Sequence, residues 1–164
     1  MGVLFSYIAA SPFIFQEHYQ ISPLLYSICF GANAFAIMIG SSVLTPRFAN
    51  ASIALRVGST IFFVLGLATA IALMGNLSFI VVEGLLFIMM FFFGIVMPTS
   101  TALALDLERK SAGNASALLG FTQFLFGGIV SPLTGMGNIL LSTGIIIALC
   151  CIVMYTISRA ATQK

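Results

Sequence analysis

Charge is what this sequence has least of. Six Lys or Arg and four Asp or Glu make up 6% of 164 residues, whereas soluble domains average roughly a quarter. A soluble fold of this length must cover itself with polar side chains, and so few charges cannot do it. The net charge is only +2 and no basic run occurs, so a nucleic-acid partner is excluded. Cysteine is also sparse. Cys29, Cys150 and Cys151 lie in apolar runs without CxxC spacing or a nearby His, which argues against a zinc site or disulfide framework and for small buried hydrophobes. No nucleophile and base pair, metal cluster or phosphate loop is present, so no catalytic residue, metal or cofactor is expected, and an enzyme is not the reading.

What is abundant is grease: 60% of residues are hydrophobic and the mean hydropathy is +1.17. A membrane crossing needs roughly 20 apolar residues, and its backbone must satisfy its own hydrogen bonds. Runs such as Leu85 to Met97 do not alternate as the strands of a membrane barrel would. The expected class is therefore an all-α membrane protein, a six-transmembrane-helix bundle in contact with the lipid bilayer.

The approximate spans are 1–15, 23–44, 52–74, 77–105, 113–134 and 139–157, with 159–164 as a polar tail. The first span is only about 22 Å long at 1.5 Å per residue. It has no N-terminal Lys or Arg and no small-residue cleavage site, so it reads as the remainder of a helix that begins upstream rather than as a signal peptide. Ser11-Pro12 is expected to kink or loosen it. Gln16, Glu17, His18 and Gln20 read as a loop, with Ser22 and Pro23 as cap and first turn of the next helix. Gly75-Asn76 marks a tight turn. Six alternating crossings put Arg47, Arg56, Arg109, Lys110, Arg159 and Lys164 on one side, which predicts that this side and the C-terminus are cytoplasmic.

Several stretches resemble a known family. Phe5-Ser6-Tyr7-Ile8-Ala9-Ala10-Ser11-Pro12-Phe13, then Gln16 to Tyr19 and Leu24 to Asn33, resemble the seventh and eighth helices of Bcr/CflA-type drug-resistance transporters of the major facilitator superfamily. So do Pro98 to Leu105, and Ala112-Gly113-Asn114-Ala115-Ser116-Ala117-Leu118-Leu119-Gly120-Phe121 with Gln123 following. Gly127, Ser131, Pro132 and Gly135 look like a degenerate Gly-x-x-x-Gly-Pro antiporter motif, with Ser in place of the second Gly. The resemblance implies one half of the major facilitator fold, the C-terminal half with helices 7 to 12, in a bacterial inner membrane. It further implies a proton-coupled multidrug efflux transporter (a drug/H+ antiporter) carrying small amphipathic compounds. Its partners would be a drug-like substrate, protons, and the missing N-terminal six-helix half or a second copy. The other reading is a truncated or stand-alone six-helix module without transport of its own, acting as partner of a full transporter.

Candidate residues follow from faces and depth. Tyr26, Phe30, Asn33 and Ile37 share one face of the second span, suited to a cavity wall, although helix-to-helix hydrogen bonding explains Asn33 equally well. Ser116, Gly120, Gln123, Gly127 and Ser131 form another stripe. Its glycines suit tight packing, and the Gln123 amide suits a central path. Tyr7, Phe13, Met97 and Phe124 are expected to touch substrate because the resemblance places their helices along the cavity. Sixteen Phe and eight Met offer an adaptable apolar surface. Glu83 is the acid within the apolar spans. It is either a proton-coupling residue inside the membrane or, the preferred reading, a marker of the outer interface. His18 beside Glu17 reads as a solvated turn before it reads as a pH sensor.

Overall fold

The structure, a computed structural model, describes residues 1–162. Gln163 and Lys164, the end of the polar tail, lie outside the described residues, as do the Arg109 and Thr162 side chains. The chain is all-helical. α1 spans Gly2–Pro12 and continues as a wide π-helical turn, Phe13–His18. α2 spans Pro23–Ile39, followed by a second wide turn, Gly40–Leu44, and a short 3-10 turn, Thr45–Arg47. α3 is Ala51–Met74, α4 Phe79–Leu107, α5 Ala112–Thr134 and α6 Ile139–Thr162.

Local chemistry sets the boundaries. The Ser22 hydroxyl accepts from Leu25 N at 3.2 Å, with Pro23 in the first turn of α2. The Asn50 carboxamide accepts from Ile53 N at 2.9 Å and starts α3. Each such cap stabilises its helix by about 1 kcal/mol. Asn76 closes the α3–α4 turn at φ 50°, a conformation Asn tolerates better than most residues. Pro12 does not break α1. It has no N–H to donate, and the winding beyond it widens, carrying the helix through Gln16, Glu17 and His18, which the sequence reads as loop.

Among the described residues, five helical segments are long and apolar enough to cross a bilayer: Pro23–Arg47, Ala51–Met74, Phe79–Leu107, Ala112–Thr134 and Ile139–Ala161. α1, with 11 residues and a 6-residue wide turn, is shorter. Successive helices run in opposite directions. Met1, Ser52, Leu107 and Ala161 meet at one end of the bundle, while His18, Asn76 and Asn138 meet at the other. These are the proportions of a multi-pass membrane protein.

Lipid is as apolar as leucine, so helices here associate through close fit and hydrogen bonds rather than through hydrophobic exclusion. Small residues mark each contact. α3 lies between α4 and α6, where Gly58 faces Ile95 and Val96, and Gly66 leaves room only for Cys151. α2 crosses α4 backbone to backbone: a Cβ on Gly40 would strike the Phe91 carbonyl, and one on Gly94 the Ile37 carbonyl. Gly127 of α5 takes the ring of Phe5 from α1.

Candidate functional site

The helix faces of α1, α2 and α4 converge on a polar cluster. Asn33 lies mid-way along α2, where an amide pointing into lipid is costly, and its side chain turns inward until only 1% of the residue is exposed. Its Nδ2 donates to the Tyr7 hydroxyl at 2.9 Å and to Glu83 Oε1 at 3.1 Å. One amide therefore joins three helices. Glu83 sits in the second turn of α4, half-buried, with Cys29 of α2 beside it.

Aromatic rings wall the cluster on one side. The Tyr7 ring stacks on Phe30 at 5.7 Å with 12° between planes, and Phe30 packs against Tyr26 at 5.9 Å. The Tyr26 hydroxyl lies 3.2 Å from the Ser11 hydroxyl. Phe15 meets both Tyr26 and Phe79 edge-on. Two acceptor atoms of the cluster, Asn33 Oδ1 and Glu83 Oε2, are buried without a hydrogen-bond partner. Unpartnered buried acceptors are costly and therefore uncommon.

A second feature lies toward the other end. A cavity of about 560 Å³ opens between α1, α3, α4 and α6, walled by Phe62, Phe93, Met97 and Met154, with Ser100 and Asp106 near its mouth. Its size falls within the usual range of small-molecule pockets.

The structure thus brings Tyr7, Tyr26, Phe30, Asn33 and Glu83 together and sets Met97 apart on the cavity wall. It does not gather the remaining candidates. Phe13 is exposed beyond Pro12, and Phe124 is exposed on α5 apart from an edge contact with Phe5. Gln123 is half-buried. The glycine stripe of α5 divides: Gly127 is filled by Phe5, whereas Gly120 faces open space. Ser131 accepts from the Thr134 hydroxyl through its carbonyl at 2.7 Å, Pro132 sits in the last turn, and Gly135 caps it.

Sequence reasoning overlooked two contacts. Cys29 reaches Glu83, and its position four residues before Asn33 on the same face was the available signal. His18 Nε2 lies 2.7 Å from Asn76 Oδ1, tying two turns 58 residues apart in sequence, and no local pattern announces that.

Over 142 residues, 84% of its length, the chain is 34% identical to the uncharacterized MFS-type transporter YdgK of Bacillus subtilis (strain 168). That similarity supports membership of the major facilitator superfamily. The chain spans about a third of the length of this curated relative, 35% of it. No family model matches the chain, and no solved structure matches it.

Proposed function

We propose that this chain forms helices 7 to 12 of a Bcr/CflA-type drug/proton antiporter, one wall of an alternating-access cavity that moves small amphipathic compounds outward across a bacterial inner membrane. The observation that carries this reading is the match itself: most of this chain corresponds to only 35% of a transporter. The exposed apolar faces of α2 and α5 support it. Leu24, Ile28 and Phe35 on α2 and Leu118, Phe121 and Phe124 on α5 all point away from the bundle, as surfaces that meet an N-terminal six-helix half, or a second copy, would. The substrate lies along Tyr7, Phe13, Tyr26, Phe30, Asn33, Met97, Gln123 and Phe124. Gly127, Ser131, Pro132 and Gly135 form the conformational motif on which movement of α5 depends. The end carrying Arg56 and Arg159 faces the cytoplasm, as does the C-terminus.

Glu83 carries the coupled proton. An ionisable side chain within a membrane span is costly unless it is paired or used, and Asn33 is its amide partner.

Everted membrane vesicles test the reading. Purified chain alone is expected to give no proton-driven export of ethidium, and export is expected to return when a companion six-helix half is supplied. Proton-driven ethidium export by the chain without any companion would overturn the half-transporter assignment.

A further inference from the structure

Among the described residues, three buried side-chain polar atoms have no hydrogen-bond partner, and two of them belong to one contacting pair, Asn33 Oδ1 and Glu83 Oε2. The third, Thr143 Oγ1, lies elsewhere on α6. Nδ2 of Asn33 has two hydrogens, and both are used, one on Tyr7 and one on Glu83 Oε1. Both orphan atoms are acceptors. A proton on the acid would be a donor, which is what both orphan acceptors lack.

We propose that Glu83 and Asn33 form a protonation-dependent latch between α4 and α2. With a proton on Oε2, the acid donates to Asn33 Oδ1 while Asn33 Nδ2 donates to Oε1, closing a planar ring of two hydrogen bonds. When that proton leaves to water, one of the two bonds is lost and two acceptor oxygens face each other in a poorly solvated site, which favours opening.

The surroundings leave this part to a proton. The titratable groups that face Glu83 are Tyr7 from α1 and Cys29 from α2, with Tyr26 next to Tyr7. Among the described residues no Lys, Arg or His faces it to neutralise a carboxylate. Glu83 is four residues from the start of α4, about 6 Å along the axis, so water at that end is near enough to exchange the proton. The geometry also gives the latch a lever. Deeper in the bundle, α2 and α4 are held at van der Waals contact where Gly40 meets Phe91 and Gly94 meets Ile37. Opening the Asn33–Glu83 ring frees the near ends of the two helices to part about that fixed crossing. The Tyr7–Phe30 stack, tied to the same amide, moves with it.

The latch deepens the proton role proposed for Glu83, but its test needs no transport. Infrared spectra of the full chain in lipid vesicles are expected to show a protonated-carboxyl C=O band at acid pH that Glu83→Gln abolishes. Asn33→Leu should shift that band to higher wavenumber, whereas Tyr7→Phe should leave it in place. Spin labels at Leu24→Cys and Ile80→Cys, both exposed near these helix starts, should report a longer separation at alkaline than at acid pH. Adding Glu83→Gln should hold them at the short distance throughout. Absence of the band would overturn the proton role and the latch together. A band untouched by Asn33→Leu, or a label distance independent of pH, would overturn the latch alone. The label experiment uses native Asn33, so it decides the matter even where Asn33→Leu fails to fold.

Discussion

α3 and α5 are nearly the same length, 24 and 23 residues, and both are apolar enough to cross a bilayer. Yet α3 buries ten residues, from Ala54 to Leu73, while α5 buries only Gly127 and Thr134. In water such a difference would follow hydrophobicity. In lipid it follows fit: the small residues on the buried face of α3 meet α4 and α6, whereas the small-residue stripe of α5 meets Phe5 at Gly127 and stands open at Gly120 and Gly128. Apolar character gets a helix into the membrane, and small side chains bury a face only where a neighbour is fitted to it.

The sharpest way to break this contrast is a matched pair of substitutions. Gly66→Leu puts side-chain atoms where Cys151 already sits, and is expected to cost about 1–3 kcal/mol or more. Gly120→Leu on α5 meets nothing and should change stability by less than about 0.5 kcal/mol. Thermal unfolding in detergent measures both, and equal losses would refute the fit argument. A smaller effect is expected at the one tight spot on α5. Gly127→Ala places a Cβ about 2.5 Å from the Phe5 ring and should cost about 1 kcal/mol. Adding Phe5→Ala should recover much of that loss, and a double-mutant cycle without such coupling would mean that α1 and α5 do not meet there. A loss smaller than that at Gly127 is expected from His18→Ala, which removes an exposed bond between turns and should lower stability by about 0.5–1 kcal/mol. A larger loss would show that this tie between turns carries more of the bundle's stability than close helix packing does.

The helices themselves were legible because apolar length and caps are local properties. Ser22 and Pro23 announced the start of α2, and Gly75-Asn76 the turn between α3 and α4. Faces were legible as well, since Tyr26, Phe30 and Asn33 follow helical spacing whatever lies opposite. What meets a face was not. Asn33 and Glu83 are 50 positions apart, and the spacing within α2 cannot say that α4 supplies its partner. The two depths weighed for Glu83 turned on where α4 begins. The structure starts it at Phe79 and turns the carboxyl inward to Asn33. Gly120 and Gly127 share a stripe, and only the position of Phe5 distinguishes them.

The buried face of α1 runs through Val3, Ser6, Tyr7, Ala10, Ser11, Ile14 and Phe15. Ordinary winding would bring positions 17 and 18 round next, pressing an anionic side chain against the rings of its neighbours. The extra residue per turn in Phe13–His18 rotates that sequence onward, so Tyr19 arrives instead and rests on Phe79 with its hydroxyl on the Leu77 carbonyl. One loosened coil thereby keeps Glu17 wet.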